Sequence, residues 1–260
     1  MRLKPWIRRL RPSEWSGWPD AAYRQERYQQ RLVAVESHLT ESLDKAAPGP
    51  VRIISLCAGD GRDVVEVLRS HKRKDDVVAW LVELSRQSVA LGVERAAQAG
   101  LGKNVKFLCG DATDFESYQR LAPADIVLAC GVWGHVPASE RATLARGLAT
   151  LCKPGGDLIW TRGVLRGMSC FEQIQSLFGA PAWQRQRVSF TPDASWGIAT
   201  ARYCGPPLAL PKSGRLFHFR RLASLVGSVA WAWAGLRFWP GVAGQALSSS
   251  LEADAVLGLL

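Results

Sequence analysis

The sequence predicts an α/β fold: a parallel sheet covered by helices on both faces, with an antiparallel hairpin at one edge. Three observations predict it. Short apolar runs alternate with helical patterns five times between Val51 and Thr161, the rhythm of strand–helix units feeding a parallel sheet. The first run, VRIISLC (51–57), ends in Ala58-Gly59-Asp60-Gly61, and Val64, Val65, Val67 and Leu68 then recur at helical spacing. After Thr161 the period changes to two strand-like runs separated by a turn.

The elements follow in order. Residues 1–18 hold three tryptophans, two prolines and a basic cluster, and read as an irregular arm. Asp20 is placed to cap a helix reaching about Ala46, with Tyr23, Tyr28, Leu32, Val35, Leu39 and Leu43 near helical spacing. The segment APGP (47–50) stops it. Strand 51–57 precedes helix 62–70, and strand Val77–Val82 precedes helix 86–99. Strand Val105–Cys109 leads into a loop and short helix, strand Asp125–Ala129 into helix 138–151, and strand Asp157–Thr161 ends the series. A helix over 170–178 then leads to strands Arg185–Phe190 and Gly197–Tyr203, with Thr191, Pro192 and Asp193 favouring the turn between them. These readings divide the chain into an N-terminal arm and helix (1–46), a core (47–219) and an apolar C-terminal extension (220–260).

Composition narrows the class. With 260 residues, 47% of them hydrophobic and 22% charged, the chain is able to bury a substantial core. The six cysteines (57, 109, 130, 152, 170, 204) form no CxxC pair, which argues against a zinc site or disulfide framework and for small buried thiols in a reducing compartment. A net charge of +10 invites a nucleic-acid partner, but the basic residues crowd near the N-terminus and at 215–221, without interleaved aromatics. No apolar run follows the basic first residues as a secretory signal requires, so a cytoplasmic protein is expected. Leu222–Leu236 is uncharged for 15 residues, short of the about 20 needed to span a bilayer. It suits a helical extension packed on the domain, or a peripheral membrane contact with Trp231, Trp233 and Trp239 at the interface.

The glycine turn marks a cofactor cradle at the carboxyl edge of the sheet. The dinucleotide pattern GxGxxG asks for a third glycine where Val64 stands, which counts against a nicotinamide enzyme. Glu83 ends the second strand, 22 positions after Gly61, where an acid can accept both hydroxyl hydrogens of a ribose. Asp111, followed by Ala112, emerges after the third strand, where a carboxylate can accept from an exocyclic amine. Cys130 and Gly131 leave room after the fourth strand, and LCKPGG (151–156) supplies a helix stop and turn before the fifth.

Together LCAGDGRD, LVEL, GDA and LCKPGG resemble the motifs of class I S-adenosylmethionine-dependent methyltransferases, over about residues 20–205. More narrowly, SLCAGDGRD with ACGVWG and IWTR is similar to a group of bacterial methyltransferase-like proteins whose substrates are poorly defined. The resemblance implies a Rossmann-like seven-stranded sheet whose last strand is inserted antiparallel. It also implies S-adenosylmethionine as cofactor, lined by Ala58, Gly59, Asp60, Gly61, Glu83, Asp111, Ala112, Cys130 and Gly131. In this chain Ser55 replaces the usual first-motif acid and Cys57 its first glycine, with Asp60 and Asp63 as nearby carboxylates to compensate.

Methyl transfer is an in-line displacement that depends on positioning, and an oxygen or nitrogen acceptor adds a proton to remove. His135, in GVWGHVP just past the fourth strand, is the candidate base; its bland alternative is a bond to a loop carbonyl. Arg162, in IWTRG, is a candidate for holding an anionic substrate group, and Trp133 either walls the pocket or belongs to the core. His38, His71 and His218 lack companions for a metal site. The expected function is methyl transfer to a small-molecule oxygen or nitrogen acceptor. An RNA methyltransferase and a non-catalytic S-adenosylmethionine-binding partner protein are the alternatives, although no NPPY-type motif is present. Residues 1–46, with Trp15, Trp18 and Tyr23, are an acceptor-side lid or a brace for the sheet.

Overall fold

Apolar residues recurring along 28–43 place one stripe of a helix against the sheet. The computed structural model, which describes residues 25–164 and 168–219, has helix α1 at Glu26–Lys45 with Tyr28, Val35, Leu39 and Leu43 buried. The expected arm, its Asp20 cap and the lid tryptophans, like the C-terminal extension from 220 onward, lie outside the described residues.

Strand β1 (Val51–Leu56), α2 (Arg62–Ser70), β2 (Val77–Glu83), α3 (Arg86–Gln98) and β3 (Val105–Cys109) come next. They are followed by β4 (Ala124–Ala129), α4 (Arg141–Leu151), β5 (Cys152–Gly163), α5 (Ser169–Ser176), β6 (Trp183–Phe190) and β7 (Trp196–Tyr203). One seven-stranded sheet runs β3-β2-β1-β4-β5-β7-β6. Strands β1 to β5 pair in parallel, and β7 lies antiparallel between β5 and β6, completing the expected hairpin.

Alternation along each strand sends neighbouring residues to opposite faces. Ile54 and Leu56 enter a core shared with Leu144 and Leu148 of α4 and Ile174 of α5. Val51 and Ile53 enter the second core with Leu39 and Leu43 of α1 and Val64 and Leu68 of α2. Both faces are therefore covered, as the continuous apolar strands require.

Several details differ from the sequence reading. The KPGG turn does not precede β5 but lies within it: Cys152 pairs with Ala124, the register shifts, and Asp157 then pairs with Ile126. A Cβ on Gly156 would approach the carbonyl oxygens of Ala124, Asp125 and Lys153 to 3.0 Å, so only glycine lets the bulge close this tightly. Trp133 is no pocket wall. Fully buried, it packs at 6.0 Å from Trp160 and edge-on at 5.7 Å from Phe178. The thiols are also less uniformly buried than expected: Cys152 is buried, while Cys109 and Cys204 are exposed.

His38 fastens α1 to the hairpin. Its Nδ1 lies 2.7 Å from Thr200 Oγ1 and its Nε2 2.8 Å from Ser189 Oγ. Burial, then the nearby Arg187 charge, pulls its pKa down to about 4 against a smaller opposing effect of Glu41. Among the described residues, no helix is long and apolar enough to cross a membrane.

Candidate functional site

The strand order reverses between β1 and β4, since β1 continues to β2 on one side while the chain returns to β4 on the other. Loops leaving the carboxyl ends of these strands diverge, and the crevice between them is where open α/β sheets take ligands. The glycine turn occupies this position. Cys57 leaves β1 with φ +50, in the left-handed region that glycine favours and that strains a residue bearing a Cβ. This is the position where Cys57 replaces the first glycine of the resembling motif, so the turn keeps its course despite the substitution.

The turn is tied to its neighbours through the backbone. Ala58 N donates to Val82 O at 3.1 Å, and Gly61 N to Ala58 O at 3.0 Å. Gly59 N donates to Glu83 Oε2 at 2.9 Å, while Glu83 Oε1 accepts from Ser85 N at 2.8 Å. Glu83 thus stands beside the turn rather than pointing into solvent. Gly61, at φ +64, has no space for a Cβ, which would fall 2.2 Å from Leu81 Cδ2 and 2.9 Å from Phe107 Cζ. Phe107 is wedged on its other side by Gly92 of α3, where a Cβ would come within 2.2 Å of the same ring carbon.

The carboxylates divide into different roles. Asp60 is 3% exposed and binds Arg62 at 2.6 Å and Arg95 at 3.0 Å, joining the turn to α2 and α3. Burial alone would raise its pKa, but the two arginines outweigh it and hold the carboxyl below its ordinary value. Its side chain is therefore committed to arginines. Asp63 Oδ1 accepts from its neighbour Val64 N at 2.8 Å in the first turn of α2. Burial raises its pKa, the Val64 bond and the charge of Arg31 oppose the rise, and Asp60 adds to it.

Asp111 Oδ1 accepts from Thr113 N at 2.9 Å and from Thr113 Oγ1 at 2.7 Å, and its Oδ2 pairs with Arg215 at 2.8 Å. Thr113 and Arg215 overcome burial and keep this carboxyl below its usual pKa. Ala112 is buried, and its carbonyl accepts from Tyr118 Oη at 2.8 Å. Cys57 lies within reach of both acids: burial first, then the charges of Glu83 and Asp111, push its thiol pKa up. Glu83, Asp111 and the turn are thus brought to one place.

On the β4 side, Gly131 N donates to Thr161 Oγ1 at 2.9 Å, joining the ends of β4 and β5 beside partly buried Cys130. His135 sits farther along this loop, its N donating to Val132 O at 3.0 Å and its ring edge-on to Phe219 at 6.1 Å. Arg162 is part of β5, paired with Gly197 of β7. Among the described residues, no group of three or more His, Cys, Asp or Glu side chains is arranged to hold a metal ion.

Three contributors escaped sequence reasoning. Gly92 had a signal, a glycine inside a helical pattern. Arg215 had none, because its ion pairs with Asp111 and Asp114 join segments a hundred residues apart. Arg31 sits on the inward stripe of α1, where its guanidinium carbon lies 4.9 Å from the Trp196 ring centroid.

Comparison with known proteins agrees with this geometry. The family described as "Putative methyltransferase" matches residues 16–165, more than half of the chain. A stretch of 114 residues, 43% of this chain, is 35% identical to "Uncharacterized protein YnbC" of Escherichia coli (strain K12) but spans only 19% of that protein. The fold is similar to magnesium protoporphyrin IX methyltransferase (ChlM) from Synechocystis PCC 6803 with bound SAM. That likeness has 16% identity and a TM-score of 0.51, covering 67% of this chain and 80% of that one. It is also similar to a SAM-dependent methyltransferase from Thiobacillus denitrificans in complex with S-adenosyl-L-homocysteine, at 16% identity and a TM-score of 0.50, covering 65% and 91%. The reversed strand order, the inserted antiparallel β7 and the family match lead to one assignment: the chain belongs to this methyltransferase family and has the fold of S-adenosylmethionine-dependent methyltransferases.

Proposed function

We propose that the chain binds S-adenosylmethionine across the β1/β4 crevice and transfers its methyl group to a small-molecule oxygen or nitrogen acceptor. The observation that carries this reading is the contact between Glu83 and the Gly59 turn, 2.9 Å from amide to carboxylate. It sets an acid with open acceptor capacity against a backbone turn that is itself open. Beyond its chain neighbours nothing lies within 4 Å of where a Cβ on Gly59 would stand, which leaves space beside the turn for a ligand.

The residues fit the group. Glu83 accepts from the ribose hydroxyls, and Asp111 from the adenine amine. Ala58, Gly59, Gly61, Cys130 and Gly131 offer close backbone approach, while Asp60 braces the turn through Arg62 and Arg95, and Ala112 forms its floor. When bound, S-adenosylmethionine supplies a methyl group made electrophilic by its positively charged sulfonium. The chain's part is to align the acceptor in line with that methyl. His135 takes the acceptor's proton as the new bond forms, and Arg162 holds an anionic group of the acceptor.

Calorimetry with S-adenosylhomocysteine tests the carrying observation. Glu83→Ala is expected to weaken binding by roughly 10- to 100-fold, the worth of hydrogen bonds to a charged group. Unchanged affinity in the folded variant rejects the assignment. His135→Ala is expected to lower turnover while sparing S-adenosylhomocysteine affinity; equal turnover removes it as the base.

A further inference from the structure

The connection that leaves β4 ends on a buried cation. Arg141 opens α4 and is only 6% exposed, yet no carboxylate pairs with it among the described residues. Its Nη1 donates to Gln173 Oε1 of α5 at 3.3 Å, a long bond to a neutral amide. Its Nε is buried with no hydrogen-bond partner among the described residues. Guanidinium groups keep their charge in proteins, and one withdrawn from water without a counter-charge is costly. The first turn of α4 does not offset that cost. It holds no acid, and the start of a helix carries partial positive charge of its own. Other buried charges in this chain are matched: Asp60 by Arg62 and Arg95, and Asp157 by Arg202.

The place of Arg141 in the fold gives the unmatched charge a use. The carboxyl ends of β4 and β5 lead into α4 and α5, so both helices start from the edge where the crevice opens. The bond from Arg141 to Gln173 spans these two helices. His135 lies on the same β4–α4 connection, six residues before Arg141. Two consecutive residues gather the connection into one rim. Phe219 packs against the His135 ring at 6.1 Å, and His218 N donates at 2.8 Å to Glu140, the neighbour of Arg141.

We propose that Arg141 receives an anionic group of the methyl acceptor, which makes the acceptor class a small molecule bearing a carboxylate or a phosphate ester. The assignment rests on the methyl-transfer reading above and adds a recognition point to the one given to Arg162. A guanidinium meets either oxyanion through paired N–H bonds, and the unpartnered Nε supplies one prong of such a fork. The same reading accounts for a charge kept where an apolar side chain would be more stable.

The test uses the full chain saturated with S-adenosylhomocysteine and three probes: benzoate, phenyl phosphate and the neutral benzamide. Thermal unfolding at constant ionic strength compares them. Wild type should be stabilised by benzoate or phenyl phosphate and not by benzamide, and the more effective anion separates a carboxylate acceptor from a phosphate ester. By calorimetry, Arg141→Met should weaken that anion roughly 10-fold or more and keep S-adenosylhomocysteine affinity. Arg141→Lys should restore part of the loss. Without ligands, Arg141→Met should unfold at the same temperature as wild type or higher, because an unmatched charge has gone. A lower unfolding temperature assigns Arg141 a structural role and overturns the proposal. So does anion affinity that survives Arg141→Met, whether or not Arg162→Met abolishes it. A parallel loss of S-adenosylhomocysteine affinity places Arg141 on the cofactor and overturns it too. Wild type that binds no S-adenosylhomocysteine refutes the methyl-transfer reading and this assignment with it. Wild type that binds S-adenosylhomocysteine but treats the three probes alike refutes this assignment alone.

Discussion

Placing a methyl group on Gly61 and on Gly59 separates the architecture of the turn from its use. Both residues have positive φ, +64 and +58, so alanine at either pays the left-handed penalty, about 1–2 kcal/mol. Only at Gly61 does the new Cβ also collide, at 2.2 Å with Leu81 Cδ2 and 2.9 Å with Phe107 Cζ. Leu81 is fully buried and Phe107 is wedged against Gly92, so neither withdraws freely. Overpacking of this kind adds about 1–3 kcal/mol. Gly61→Ala should therefore cost about 2–5 kcal/mol in all, and Gly59→Ala about 1–2. For a domain of this size the corresponding losses in Tm are about 4–20 °C and 2–8 °C. Thermal unfolding followed by circular dichroism reads both. The same scans with S-adenosylhomocysteine should show the order reversed for function: Gly59→Ala, whose methyl enters open space, loses ligand-induced stabilisation out of proportion to its stability cost. A Gly61→Ala protein as stable as Gly59→Ala would refute the packing argument, and a Gly59→Ala protein stabilised by the ligand as strongly as wild type would refute the cradle.

Three further outcomes follow from the interior. His38, with its pKa near 4, stays neutral in the folded chain while the unfolded chain protonates below pH 6.5. Stability should thus fall as pH drops from 6.5 to 4, by about 3 kcal/mol, and urea titrations of His38→Gln should lack that component. Glu36 acts in the opposite sense: burial, then Glu66 and Asp63, push its pKa up to about 7. Its penalty is absent below pH 4.5 and complete above 7, so Glu36→Gln should stabilise at pH 8 by about 1–2 kcal/mol, after discounting for partial exposure, and leave stability at pH 4 unchanged. Equal shifts at both pH values would contradict the assignment. Trp133→Ala should cost about 3–5 kcal/mol as a core truncation; a loss under about 1 kcal/mol would restore Trp133 to a pocket wall.

Much of this arrangement is written locally in the chain. Helix α2 begins and ends at Arg62 and Ser70, in keeping with its pattern of valines after the Gly61 turn. The hairpin was visible in the Thr191-Pro192-Asp193 turn, and Glu83 and Asp111 in their places after β2 and β3. What the sequence did not disclose depends on contacts across the fold. Arg31 lies within a stripe otherwise formed by Tyr28, Leu32 and Val35, and nothing local distinguishes it from a solvated arginine. Its neighbours Trp196 and Gly131 are far away in the chain. Asp60 and Asp63 are likewise equivalent on paper, and Arg95 of α3, 35 positions on, separates them by occupying Asp60. The KPGG segment read as a turn because its glycines and proline carry that signal. Its inclusion in β5 follows from pairing with Ala124 before the bulge and Ile126 after it.

The central claim is that the crevice between β1 and β4 is an S-adenosylmethionine site. Calorimetric titration of the purified chain with S-adenosylmethionine and S-adenosylhomocysteine tests it most directly. Saturable binding of both at one site per chain is expected, abolished or strongly weakened by Glu83→Ala. A folded chain that binds neither compound would contradict it.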